Sequence, residues 1–279
     1  MTDNEFWACP LCGKALSGDT SLRCAGGHCF DRAKEGYIHL LPVQKTRTKN
    51  PGDSADMTAS RRQFLNAGYY VPFGKTLGEL CLAACDDRVP VLLDAGCGEG
   101  WYDRQIAEAF DKAGRSLKLY GFDIAKPAVR AAAKAFPRGS YAVASSFHQP
   151  VLAESADILI NIFSPLAEEE FFRVLRPGGT LIYAVPGPDH LFGLKKVLYR
   201  EPYLNTVRDE EYRGFRFEGD RTVRGRITVP SEHIGALYAM TPYFWRTPKD
   251  GTERLAELSV LETDIEFRFL VFKRLESRE

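Results

Sequence analysis

The 279-residue chain has no excess of either charge: 37 Lys and Arg stand against 37 Asp and Glu. Bulk charge therefore points neither to a nucleic acid nor to an anionic surface. No apolar run approaches the roughly 18 residues a membrane span requires, and there is no internal repeat or low-complexity tract. The first residues, MTDNEFWACP, lack the basic start, apolar middle and small-residue cleavage site of a secretory leader. Cysteine is scarce, at seven, and Cys81, Cys85 and Cys97 lie in apolar or glycine-rich surroundings with no pairing scheme. Together these absences argue against a membrane protein or a disulfide scaffold and lead us to expect a reducing, cytoplasmic setting. The length fits one large domain, or one domain with a small appendage.

The other four cysteines crowd with a histidine into residues 9–29. Cys9-Pro-Leu-Cys12 forms one tight knuckle; after eleven intervening residues come Cys24, then His28 and Cys29. Two short ligand pairs separated by a hairpin-sized insert suit tetrahedral zinc. Gly13, Gly26 and Gly27 stand where backbone must wrap close to a metal. A redox C-x-x-C would open a helix, but Gly, Ser and Asp follow here, and a disulfide knot needs an oxidising compartment. Either His28 or Cys29 can be the fourth ligand, since neighbouring side chains diverge. A filled four-ligand set makes the zinc structural, supplying folding energy that a module of this size cannot draw from its core.

Further along, VPVLLDAGCGEGWY places a short doubly buried strand (91–93) before Asp94, Gly96, Gly98, Glu99 and Gly100, and a helical pattern through Trp101, Ile106, Ala107 and Phe110. The spacing is G-x-G-x-G, which differs from the dinucleotide fingerprint. A second strand, 118–125, brings Asp123 to its carboxyl end, where an acid can accept both ribose hydroxyls of a nucleoside. Strands are expected at 140–145, 156–163 and 180–185, with a helix over 166–179 stopped by Pro177-Gly178-Gly179. Alternating strands and helices predict an α/β fold with a Rossmann-like, mostly parallel sheet. Ligands then bind in the loops 94–102, 123–127, 144–149, 161–165 and 186–190. ETDIEFRFLVFKR near the end alternates as an added antiparallel strand does.

LLDAGCGEG, GFDIA and FFRVLRPGGTLIYAVPG resemble the class I S-adenosylmethionine-dependent methyltransferases over about residues 90–190. That resemblance implies methionyl contacts from the 94–100 loop, a ribose held at Asp123 and Ile124, and an adenine near Ser145 and Ser146. With CPLCGKAL, GHCFDRAKEGYIHLLPVQ, NPGDSADM, RRQFLNAGYY and MTPYFWR added, nearly the whole chain resembles the bacterial 23S rRNA (guanine-N1)-methyltransferases. The family resemblance implies zinc on Cys9, Cys12, Cys24 and His28, and cofactor contacts at Tyr70, Gly98 to Gly100 and His190. It further implies a homodimer acting on a guanine in a 23S rRNA hairpin loop, one family branch bearing on macrolide-type resistance.

For such a reaction His190, Asp189 and Asp53 are the candidate proton acceptors, because guanine N1 must lose its proton. Phe163, Tyr243 and Trp245 are candidate stacking partners for the base. Segment 44–62, with five basic residues against two acidic, and Arg221, Arg224 and Arg226 permit phosphate contacts, as does the Arg61-Arg62 pair. The expected organisation is a zinc module over 1–42, a basic linker and helical lead-in over 43–88, and a methyltransferase domain over 89–279. The competing reading is a small-molecule methyltransferase whose zinc module only stabilises the chain.

Overall fold

A computed structural model describes residues 6–42, 51–86, 88–206 and 211–278. Lys45, Arg47 and Lys49 of the basic segment lie outside the described residues. A small antiparallel ribbon comes first: β1 (Leu16–Ser17), β2 (Ser21–Cys24) and β3 (Cys29–Asp31), followed by β4 (Ile38–His39). Two helices, α1 (Ala55–Asn66) and α2 (Val71–Ala83), lead into the alternating part. It runs β5 (Val91–Ala95), α3 (Trp101–Lys112), β6 (Lys118–Asp123), α4 (Lys126–Ala135), β7 (Ser140–Val143), β8 (Ala156–Ile162), α5 (Glu168–Val174) and β9 (Leu175–Pro186). Then come α6 (Phe192–Leu198), β10 (Phe215–Pro230), α7 (Ser231–Ala239), a 3₁₀ turn (Pro242–Trp245), α8 (Lys249–Ala256) and β11 (Val260–Arg274).

Eight strands form one sheet in the order β10-β11-β9-β8-β5-β6-β7-β4. From β9 to β4 neighbours run parallel, whereas β11 is antiparallel to both β9 and β10. The alternation of 260–274 therefore adds an antiparallel strand, as its period predicts. Strand order reverses beside β5, between β8 and β6, and this is where an α/β sheet opens a crevice at its carboxyl ends.

Because side chains alternate across a strand, the sheet feeds two cores. Leu92, Ile158, Ile160, Ile182, Phe267 and Phe269 point to one, which α1, α2, α3, α6 and α7 cover with residues such as Phe64, Phe73, Ile106, Leu194 and Leu237. Leu93, Leu159, Leu181, Tyr120, Phe122 and Leu270 point to the other, where α5 supplies Phe171 and Val174. The segment entering β10 adds Tyr212 and Phe215, and the N-terminal module adds Phe6, Trp7, Leu16, Leu22 and Ile38, all buried there. Phe6 stacks on Tyr120 with ring centroids 3.9 Å apart, and the Trp7 indole N–H donates to Ser140 Oγ at 3.0 Å. β4 continues the main sheet beyond β7.

One expected boundary moves. The helix expected to run to Gly179 ends at Val174, and Pro177-Gly178-Gly179 fall inside β9. They bulge opposite Asp157, with Gly178 at φ +72°, while Arg176 pairs with the Asp157 carboxylate. The helix stops three residues short of the proline, and the chain enters the sheet at Leu175, so Pro-Gly-Gly forms a bulge within the strand and not the helix stop.

Candidate active site and metal centre

The two knuckles meet at the base of the ribbon. Donor atoms of Cys9, Cys12, Cys24 and His28 all lie within 4.8 Å of one another. Cys9 Sγ and Cys24 Sγ are 3.5 and 3.4 Å from His28 Nδ1, and Cys12 Sγ is 3.6 Å from Cys24 Sγ. A tetrahedron with metal–sulfur bonds of about 2.3 Å has edges of about 3.8 Å, so the four atoms match a zinc cage. A Cβ on Gly26 would sit 3.3 to 3.5 Å from Cys12 Sγ, Cys24 Sγ and His28 Nδ1, so the glycine leaves room where the ligands converge. Gly13 and Gly27, at φ +70° and +82°, make the two turns. Cys29 is exposed on β3 and stands outside this set.

At the carboxyl ends of β5, β6, β8 and β9 lies a cavity of about 790 Å³. Its floor is the glycine turn. Gly96, Gly98 and Gly100 take φ of +95°, +55° and +75°, a region only glycine enters without strain. A Cβ on Gly98 would have the Arg61 guanidinium, 3.8 Å away, as its nearest neighbour, so the bare backbone faces the open space. Asp123 lines the cavity with Ile124. Its carboxylate is aimed by two backbone donors, Gly98 N–H at 3.0 Å and Ala125 N–H at 2.8 Å. Burial pushes its proton affinity up, against those two hydrogen bonds. Glu99 is only 2% exposed, lines the same space, and neither carboxylate oxygen has a hydrogen-bond partner. Burial pushes its pKa up to about 7, with Arg104 pulling against it. A buried acid with no hydrogen bond, reached by the Arg104 guanidinium at 3.8 Å, and a ribose-ready carboxylate beside naked backbone fit a cationic nucleoside.

The opposite wall is aromatic. Tyr70, at the start of α2, brings its hydroxyl 3.5 Å from His190 Nε2. His190 Nδ1 accepts from Glu266 N–H at 3.3 Å, so the neutral ring carries its proton on Nε2. Burial, helped by Lys195, lowers the His190 pKa to about 3. Phe163, 44% exposed and at φ +51°, lies nearly parallel to the His190 ring. Tyr243 and Trp245 complete the rim, Trp245 being 71% exposed. Asp53 and Arg61 both line the cavity and pair at 2.7 Å.

Other sequence candidates lie elsewhere. Asp94 is buried beneath the loop and does not line the cavity; burial and then Asp103 push its proton affinity well above the carboxylate range. Asp189 is exposed, its backbone N–H donating to Glu266 at 2.8 Å, and it does not face the cavity. Ser145 and Ser146 are also outside the lining. After β7 the chain turns sharply, Ser145 Oγ accepting from Phe147 N–H at 3.3 Å, and returns to pair Val151 with Trp7. Loop 144–149 is thus diverted toward the N-terminal module. Arg62 is exposed and off the wall. Arg221, Arg224 and Arg226 are each paired locally, with Glu79, Glu266 and Glu262, which leaves little positive field on β10. Sequence reasoning missed Tyr203 and Asn205 in the lining and Lys195 behind it. They lie in or contact EPYLNT, a stretch with neither periodicity nor a motif.

Comparison with known proteins adds two family matches and two relatives. A family described as "RlmA, N-terminal", a zinc ribbon, matches residues 7–49, and one described as "Methyltransferase domain" matches residues 93–183. The chain is 34% identical to the 23S rRNA (guanine(748)-N(1))-methyltransferase of Streptomyces fradiae, over 97% of this chain and 98% of that one. It is 36% identical, over 90% and 91% of the two chains, to a protein of Micromonospora griseorubida provisionally named a 23S rRNA (guanine-N(1)-)-methyltransferase.

Proposed function

The chain belongs to the 23S rRNA (guanine-N1)-methyltransferase family, and from that premise we propose that it methylates N1 of a guanine in a hairpin loop of 23S rRNA. Its cofactors are S-adenosylmethionine and a structural zinc ion. One observation carries the reading: a single cavity joins the glycine turn and Asp123 on one side to Phe163, Tyr243 and Trp245 on the other. The first wall suits a nucleoside. The second suits an unstacked base, which an aromatic face holds without regard to sequence.

The sulfonium of the cofactor supplies the methyl group. The protein's own part is alignment, exclusion of water and removal of the N1 proton. Cys9, Cys12, Cys24 and His28 hold the zinc, and Asp123 and Glu99 hold the ribose and the cationic end of the cofactor. His190 bears its proton on Nε2, which faces the Tyr70 hydroxyl, so the ring does not act as the base. Asp189 points away. Asp53 is the remaining carboxylate among the sequence candidates; it lines the cavity, paired with Arg61 at 2.7 Å.

The family resemblance also supports a cytoplasmic homodimer; sedimentation giving only monomer at every concentration would remove the dimer. No described helix is long and apolar enough to cross a membrane. The test of function is methyl transfer from labelled cofactor to a 23S rRNA hairpin transcript, the product mapped by primer-extension stops and mass spectrometry. A methyl on guanine N1 is expected. Methylation of small acceptors but never of RNA would favour the small-molecule reading, with zinc serving stability alone.

A further inference from the structure

Lys195 sits in the middle of α6 with none of its surface exposed, and no carboxylate among the described residues lies within ion-pair distance. Its ammonium donates to Tyr203 O at 3.0 Å and to Asn205 Oδ1 at 2.6 Å. It also lies 4.4 Å from the Tyr203 ring centroid and 5.5 Å from that of Tyr243. Two carbonyl-type oxygens and two aromatic faces thus take the place of water around the charge. Asn205, in turn, donates to Gly187 O at 2.9 Å and His190 O at 3.2 Å. Tyr203, Asn205, Tyr243 and His190 all line the cavity. One buried cation therefore ties together three segments of the substrate wall from a single layer behind it.

We propose that Lys195 is a positioning residue that also biases the reaction electrostatically: its uncompensated charge favours the N1-deprotonated, anionic form of the target guanine held against the Tyr203–Tyr243 wall. This rests on the guanine-methylating reading above. The step balances simply. N1 gives its proton to a base or to solvent, its lone pair forms the N–CH₃ bond, and the C–S pair stays on sulfur as the neutral thioether. Negative charge on N1 and O6 rises before attack, and a cation whose own surface is fully covered stabilises it more than a fully solvated charge can.

The groups packed around Lys195 do not cancel this charge. Glu266 of β11 is held by Arg224 and the Asp189 N–H. Asp250 of α8 is held by Arg254 and Arg200. His190 is neutral, and burial pushes the Tyr199 and Tyr243 hydroxyls up, so these are neutral as well. Burial lowers the proton affinity of Lys195 itself.

The test is the pH dependence of single-turnover methyl transfer between pH 6 and 9, in wild type, Lys195→Met and Asn205→Ala. Zinc content, melting temperature and calorimetric uptake of S-adenosylmethionine confirm that each variant is folded and cofactor-competent. Lys195→Met is expected to lose about tenfold at pH 7, equivalent to about one pKa unit on the base, and to recover most of that by pH 9. Asn205→Ala is expected to slow the reaction with the profile unmoved. A Lys195→Met loss that is equal at every pH, no loss, or the same alkaline shift in Asn205→Ala would overturn the proposal. Should wild type take up the cofactor yet methylate no guanine, the functional reading fails instead.

Discussion

Glu99 and His190 occupy one cavity, and burial pushes both toward their uncharged forms, with opposite consequences for pH. Glu99 has its folded pKa raised to about 7 from an ordinary value near 4.5. Its contribution to stability is therefore full below about pH 4.5 and is lost as pH rises through 7. A cation beside it reverses that preference, so cofactor binding should expel a proton. We expect the affinity for S-adenosylmethionine to rise up to about tenfold from pH 6 to 8, and Glu99→Gln to flatten the rise. Calorimetry in two buffers of different ionisation heat reads the proton directly; equal heats in both would sink this. His190 has its folded pKa lowered to about 3. Its contribution is present above about pH 6.5 and drains away as pH falls from there toward 3, at roughly 1.4 kcal/mol per pH unit. His190→Asn should consequently melt with a shallower acid slope between pH 6 and 4 than wild type.

At the level of elements, the parts whose conformation is dictated locally were readable. The doubly buried runs at 91–93 and 156–162 carry their strand identity in composition, and the glycines at 96, 98 and 100 announce a backbone that side chains cannot follow. The zinc spacing is likewise local chemistry. What escaped the sequence depends on where distant segments land. Ser145 and Ser146 leave the cavity because the chain after β7 is drawn back to Trp7, 144 residues before Val151. Asn205 and Lys195 acquire meaning only when α6 folds onto the β9 loop. The Gly96 turn offers the sharpest test here. A Cβ at Gly96 would collide with the Ser164 side chain from the loop after β8, and the φ of +95° is strained for alanine. Gly96→Ala should cost about 1–3 kcal/mol of stability and abolish cofactor uptake, while leaving zinc content at one per chain. Retained uptake would mean that the turn does not form the binding floor.

For the molecule as a whole, the N-terminal module is both a metal-stabilised ribbon and part of the cover of the second core. Removing the zinc should therefore lower the melting temperature of the entire chain, because Phe6 and Trp7 lose the frame that holds them on Tyr120. Cys24→Ser, followed by hydrogen exchange, should show faster exchange in β6 and β7 as well as in the ribbon; exchange confined to residues 6–42 would contradict the shared core. RNA recognition is the other property set at this scale. The chain is neutral overall and the β10 arginines are tied to acids, so phosphate attraction must come from few groups. If Lys45, Arg47 and Lys49 each neutralise one single-strand phosphate at about 0.7 per contact, the log affinity against log salt has a slope of about −2. Neutralising all three should flatten that slope without changing which base is methylated. Trp245→Ala should act in the complementary way, costing about 1–3 kcal/mol of binding at every salt concentration with the slope intact, since stacking carries no counterions. A slope several times steeper, or one that falls when Arg221, Arg224 and Arg226 are replaced, would move the RNA-binding face from the aromatic rim to the outer edge of the sheet.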